Sequence, residues 1–265
     1  MAIVLFFLIH WQVSVFFQSF FQHRYGAHRQ FQMTPGWERV FYVLDYIAMG
    51  TSYMSPKAYA LLHRAHHAYS DTPKGPHSPN FHSHAGGLLM AMLDRFGAVN
   101  TGRELPEPRF EGGYPEWPAF DRFAQSWTSR LGWGAVYLGV YLWLHVAFGS
   151  SLWFLLLLPF HWVLGPIHGV IVNWCGHKYG YRNFANADTS RNTLIFDVLT
   201  AGELFQNNHH MFGMSPNFGA RWYEIDPTYQ VMRLFNAIGI IDMSRSTLMP
   251  TPETHRLRAF TGVEA

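Results

Sequence analysis

Residues 2 to 22 read Ala-Ile-Val-Leu-Phe-Phe-Leu-Ile-His-Trp-Gln-Val-Ser-Val-Phe-Phe-Gln-Ser-Phe-Phe-Gln, a stretch without one charged side chain. A helix of about 20 apolar residues crosses the hydrocarbon core of a bilayer, so this stretch predicts a transmembrane helix. A cleavable signal peptide would have a basic start, a shorter apolar run and a small-residue cleavage site. None of these is found, and the helix is expected to stay in the mature protein. A second uncharged stretch runs from Leu131 to His177, interrupted by Gly149-Ser150-Ser151. It predicts two helices, about 132–149 and 152–172, that form a membrane hairpin. Residues 37–55 are apolar but carry Glu38, Arg39 and Asp45. They predict an amphipathic helix at the interface. The expected fold class is therefore all-α: an integral membrane protein with about three transmembrane helices, or four if residues 37–55 cross the bilayer.

Composition supports this class, since 49% of residues are hydrophobic and 17% aromatic. The net charge of +2 says little about partners, and no nucleic-acid partner is expected. Lys and Arg are absent from the 149–151 turn and concentrated in 23–130 and 178–258. Those two segments are therefore expected on the cytoplasmic side, as in a bacterial inner membrane. Residues 97–130, with many Gly, Pro and charged positions, read as a connection in that layer, 231–243 as an amphipathic stretch packed on it and 244–265 as a tail. No internal repeat interrupts what is expected to be one domain over 1–265. The single Cys175 excludes an internal disulfide and a cysteine metal cluster.

The polar layer is dominated by histidine, 16 residues in 265. In His63-Arg64-Ala65-His66-His67 the three imidazoles share an arc of roughly 100° on one helical face. His23 with His28, His209 with His210, and His177 add to the same side of the predicted membrane. Imidazole suits iron, copper, zinc and nickel, and a set nearly free of sulfur and carboxylate argues against magnesium, calcium and iron–sulfur clusters. No His-Glu-x-x-His is present, and eight histidines are twice what one tetrahedral zinc would use, so two metals are expected, with iron favoured.

The arrangement resembles the membrane fatty-acid desaturases, particularly their acyl-CoA branch, over nearly the whole chain. His23-Arg-Tyr-Gly-Ala-His28 resembles the first histidine box of that family, and His63-Arg-Ala-His66-His67 the second. Gly202-Glu203-Leu-Phe-Gln206-Asn-Asn-His209-His210 resembles the third. Asn173-Trp-Cys-Gly-His177 is similar to the segment that supplies an isolated histidine ligand and an asparagine holding a metal-bound water. The resemblance implies a di-iron centre on His23, His28, His63, His66, His67, His177, His209 and His210. Gln206 stands where acyl-CoA members usually have a ninth histidine, and Asn173 would hold the water. Leu61-Leu62 replaces the Arg-Asp pair that grips the CoA head group in that branch, so acyl-CoA, acyl carrier protein and a lipid all stay open as the acyl carrier. The chain also starts at what resembles the family's second membrane helix, one span short.

Breaking an unactivated C–H bond is beyond any side-chain acid or base, so an O₂-activating metal must supply the oxidant. Glu203, Asp71 and Asp197 are candidates to orient the outer ring nitrogens of the ligands. His10, His82, His84, His145, His161 and His255 read as structural, whereas His168, on the helix of Asn173, could face a substrate tunnel. No flavin, haem, dinucleotide or cysteine-cluster motif is present. Electrons must then come from a separate ferredoxin, rubredoxin or cytochrome b5 with its reductase. Zinc is an expected substitute for iron in recombinant protein. The leading reading is an O₂-dependent fatty-acyl desaturase; a membrane di-iron hydroxylase of alkyl, sterol or carotenoid substrates and a non-catalytic metal-binding protein are the alternatives.

Overall fold

A computed structural model describes residues 1–261, and within them the chain is helical, with only isolated β-bridges. Helix α1 (Ala2–Ala27) is continuous over 26 residues and apolar enough to cross a membrane. From Gln18 to Ala27 its turns widen to π-helix. In an α-helix, His23 and His28 would point about 140° apart, because five residues advance about 500°. The wider i→i+5 turn returns a residue to nearly the same face after five positions, and His28 N–H donates to His23 C=O at 3.1 Å. The spacing of the first histidine pair thus fits this local geometry.

The amphipathic helix foreseen over 37–55 is shorter: α2 spans Pro35–Met49. Thr34 caps it and Pro35 opens it, a preferred N-terminal pairing. Gly50 ends it in the left-handed region at φ 52°, where any Cβ would strike the Tyr137 hydroxyl. Helix α3 (Pro56–Ala68) follows, capped by Ser55, whose hydroxyl accepts from Ala58 N–H at 3.2 Å. It packs along the widened part of α1. Phe20, Phe21, Phe41 and Tyr42 join α1 to α2 in a buried aromatic core. Helix α4 (Ala85–Asn100) leans on α3 and leaves Met90 exposed.

Short α5 (Pro118–Ala124) leads into α6 (Trp127–Phe148), the second helix long and apolar enough to cross. The second limb of the hairpin differs from the expected single helix over 152–172. It runs as a 3-10 helix over Leu152–Leu157 into α7 (Leu158–His161), breaks, and resumes as α8 (Leu164–Lys178) at 71° to the first part. Pro166 explains the break: continued helix would require an N–H it lacks and would clash with the preceding turn. The bend swings the C-terminal end of α8, with Asn173 and His177, toward α3. The chain closes with α9 (Gln206–Met211), α10 (Pro227–Ala237) and α11 (Pro252–Thr261). The amphipathic stretch read as 231–243 is centred earlier, because Asp226 caps α10 and Pro227 opens it. The tail read as 244–265 is helical over α11 and ends outside the described residues.

Candidate metal centre

The widened end of α1, α3, the last turn of α8 and α9 bring all eight histidines together in two groups. His23, His28, His63, His67 and His209 form one; His66, His177 and His210 form the other. Within each group the ligand-capable atoms lie within 4.8 Å of one another. His66 and His67, adjacent on α3, are divided between the groups, so this helix contributes histidines to both.

The separations show what such a cluster needs. Nε2 of His63 is 2.8 Å from that of His28 and 3.0 Å from that of His67. Nε2 of His67 is also 2.9 Å from that of His209, which is 3.0 Å from that of His23. In the second group the Nε2 atoms of His66 and His210 are 3.2 Å apart, and the buried Nε2 of His177 has no hydrogen-bond partner among the described residues. A ring nitrogen offers one proton or one lone pair, so it cannot bond two neighbours at once. Nitrogens about 2.1 Å from a common ion and about 90° apart would stand about 3 Å from each other. The donor sets fit two metal ions. Burial, then the neighbouring rings, pushes His28, His63, His66, His67 and His209 well below the usual imidazole range. They are kept neutral, the form that ligates.

Carboxylates stand behind three of the rings. Glu203 Oε2 is 2.6 Å from His23 Nδ1, Asp71 Oδ2 is 3.3 Å from His177 Nδ1, and Asp188 Oδ2 is 2.5 Å from His210 Nδ1. Burial opposes ionisation of Glu203, but His23 and Arg24 outweigh it and hold the carboxyl down to about 2. Asp71 and Asp188 are likewise held well below the carboxylate range against burial, by His177 with Thr189 and by His210 with Ser190. Of the three acids singled out in the sequence, Glu203 and Asp71 reach histidines. Asp197 does not: it accepts from Thr200 and Leu204 and shapes the loop before the third box. Asp188 was missed, since its loop carries no periodicity and lies more than 20 positions from its partner.

Gln206 lies against Gly176, where any side chain would collide with its methylenes, so α8 and α9 meet there at backbone distance. Its amide nitrogen donates to Glu203 C=O at 2.7 Å, which leaves the oxygen as the atom available to a ligand. Asn173 similarly spends its amide nitrogen on Gly169 C=O at 2.7 Å. Both line a cavity of about 30 Å³ together with His23, His63, His66 and His168. His168 faces this cavity, its Nδ1 2.9 Å from Gln18 Oε1 and its buried Nε2 free of any partner.

Gln18, Tyr59, His63, Gly169 and Asn173 also line a larger, mostly apolar cavity of about 130 Å³ that continues past Met92, Phe96 and Trp162. His77, half-buried, is part of its wall, and desolvation there pushes its imidazole down to about 4. An apolar channel thus leads to the polar space beside the histidines. Of the histidines read as structural, His10 and His161 pair at 2.8 Å between α1 and α7, His145 bonds Ser150 C=O, and His84 caps α4.

A model of the fatty acid desaturase family matches residues 1–237. The chain belongs to the fatty acid desaturase family. It is 32% identical over 227 residues to the sn-1 stearoyl-lipid 9-desaturase of Anabaena variabilis, covering 82% of this chain and 74% of that one. Similarity to the Delta-9 desaturase-like 5 protein of Arabidopsis thaliana is 30% over 234 residues, 84% and 70% of the two chains. A hex-5-enoyl-(acyl-carrier protein) acetylenase of Moorena producens is 26% identical over 262 residues, 87% and 73% of the two. As a desaturase this protein is an oxidoreductase, and its apolar helices are compatible with membrane insertion.

The carboxylate behind His210 gives this desaturase a site to test apart from any ligand. Asp188→Asn keeps the shape but lowers the charge that orients the ring and raises its basicity. Metal in the three-histidine group should then be lost to a chelator about 10–100-fold more readily. A timed chelator challenge followed by metal analysis reads this, and unchanged loss would show that Asp188 only shapes its loop.

Proposed function

We propose that this protein is an O₂-dependent fatty-acyl desaturase whose two histidine groups hold two iron ions. The observation that carries the reading is the apolar channel ending beside both groups. His23, His28, His63, His67 and His209 would hold one ion, and His66, His177 and His210 the other, with Gln206 through its amide oxygen. When bound, the irons supply the O₂-derived oxidant that removes hydrogen from unactivated carbons. Per turnover one –CH₂–CH₂– unit, one O₂, two electrons and two protons give one alkene and two waters.

The chain's own residues bind and position. Met92, Phe96, Trp162 and the side-chain-free Gly165 and Gly169 leave an apolar slot for an acyl chain, so that its depth selects which carbons reach the centre. Asn173, with its amide oxygen beside the small cavity, would hold a water there. Glu203, Asp71 and Asp188 fix the orientation of His23, His177 and His210 through Nδ1. Leu61 and Leu62 are buried and offer no charge to a CoA head group. That, with relatives named for stearoyl-lipid and acyl-lipid substrates, favours a lipid-linked acyl chain. Electrons come from an external donor of the ferredoxin, rubredoxin or cytochrome b5 kind. The lysine and arginine distribution favours a centre that faces the cytoplasm, and a bacterial inner membrane is the membrane we assign to it.

Expression in a host with a simple fatty-acid profile should add one monounsaturated species at a fixed distance from the carboxyl carbon, read by gas chromatography with double-bond localisation. Protein from iron-rich, zinc-free growth should carry about two irons per chain by mass spectrometry. A hydroxylated product would move the assignment to a hydroxylase. No new lipid with a competent donor, or a stable one-zinc protein, would overturn the reading.

A further inference from the structure

Outside the channel, an open groove of about 840 Å³ lies beside the first histidine box. Of the eight metal-site histidines only His28 lines it, while the same ring turns Nε2 into the five-histidine group. The groove joins a second trough through Arg29, Phe31, Gln32 and Met214. Arg29, Arg64 and Arg109 face the first and Arg29 with Arg245 the second, against Glu111 and Asp242 as the carboxylates of the two linings. Arg64 is committed to four backbone carbonyls, and Arg109 pairs with Glu107 at 2.9 Å. Arg29 and Arg245 make no side-chain hydrogen bond or ion pair among the described residues and are exposed. Between them Met214 is 59% exposed. Arginine around an exposed methionine, over a concave floor, is the composition of a transient protein–protein contact.

Arg29 adds a second sign. Its backbone lies in the left-handed region at φ 56°, a conformation that a residue with a side chain rarely adopts. Next to His28 this conformation lays the guanidinium across Gly113, at the rim of the groove. Strain of this kind clusters where a side chain must be presented.

We propose that this groove docks an acidic one-electron carrier protein, which passes electrons to the metal centre through His28. The proposal rests on the desaturase reading. Each turnover consumes two electrons, so two reduced carriers each lose one electron while O₂ and the substrate hydrogens end as water. Opposite charge steers the encounter and sets its rate, and a contact of this kind weakens as salt rises.

The probe is an acidic plant-type 2Fe–2S ferredoxin, with the full chain in lipid nanodiscs. Its dissociation constant is measured by calorimetry at low and high salt, and its KM is taken from alkene formation. The double variant Arg29→Glu with Arg245→Glu should bind about ten-fold or more weakly at low salt, lose most of the salt dependence and raise the donor KM. Arg103→Glu with Arg122→Glu makes the same charge change at two exposed positions outside the groove and should bind as the wild type does. Equal affinity of double variant and wild type, or no ferredoxin binding at low salt, overturns the proposal. Ferredoxin bound through the arginines by a protein that forms no alkene would overturn the desaturase reading and leave docking in place. Alkene formation with an unaltered donor KM in the double variant does the reverse.

Discussion

Replacing His67 by alanine should remove the alkene product and leave the protein in the membrane. Nε2 of His67 lies 3.0 Å from that of His63 and 2.9 Å from that of His209, so its loss opens one side of the five-histidine group. The His210 ring, 4.5 Å away between centroids, is aimed at the second group and held there by Asp188. No neighbouring ring is free to substitute. Alanine is the best helix former, and α3 is fixed by the Ser55 cap and by Arg64, which donates to the Gly26, Ala27, Phe110 and Gly112 carbonyls. The backbone therefore stays. Removing an outer-sphere partner typically costs 10–100-fold, so loss of a ligand should cost more than about 100-fold in product formed per protein. Gas chromatography of host lipids and metal analysis of the same preparation measure it. Product above a tenth of wild type with both metals retained would remove His67 from the centre.

The parts of this site that were legible in the sequence are those set by local spacing. The boxes stand on single helical segments, and the uncharged runs that carry them to one side of a membrane can be counted off the chain. Even so, pattern alone placed His66 and His67 on one face; it could not divide them between two groups, since that depends on how α8 and α9 approach α3. The approach is governed by Gly176, which lets Gln206 pack against α8, and by Pro166, which bends the hairpin limb. A composition-based reading of 152–172 sees only an apolar helix there.

Long-range polar contacts were the least visible. Asn208 donates to Phe218 C=O at 2.8 Å and Glu224 Oε2 at 2.8 Å, and its own Oδ1 accepts from Asn183 and Asn192. Asn207 bonds Phe184 on both its N–H and its carbonyl. These two fully buried amides tie the third box to loops on both sides of it. The Asn-Asn pair just before His209 and His210 was the one available signal, and nothing in its spacing identifies the partners. The same holds for Asp188, and for Asp197, whose acid character made it a candidate although its partners are the Thr200 hydroxyl and the backbone amides of Thr200 and Leu204.

Arg24→Met should be the most destabilising single change in the polar layer. The side chain is wholly buried directly after His23 of the five-histidine group. Its two terminal nitrogens meet Asp226 at 2.9 and 3.1 Å, one also donates to Pro216 C=O at 2.6 Å, and the guanidinium lies 3.8 Å over the Phe218 ring. Glu203 Oε1 is 3.8 Å away. Methionine fills similar volume but leaves Asp226 and Glu203 buried with their cation gone. Removing one partner of a buried pair typically costs about 3–5 kcal/mol, because the remaining charge is stranded. For a domain of this size that corresponds to a fall in thermal midpoint of roughly 6–20 °C, measured by intrinsic fluorescence in detergent. Replacing both partners, as Arg24→Met with Asp226→Asn, should recover much of the loss, since the neutral amide leaves no charge uncompensated at that position and its oxygen still accepts the cap bond from Tyr229 N–H. Glu203 would still lack its cation, so metal held through His23 should remain easier to extract in the double variant than in the wild type. A midpoint within about 2 °C of wild type for the single change would show that the clamp carries no net stability.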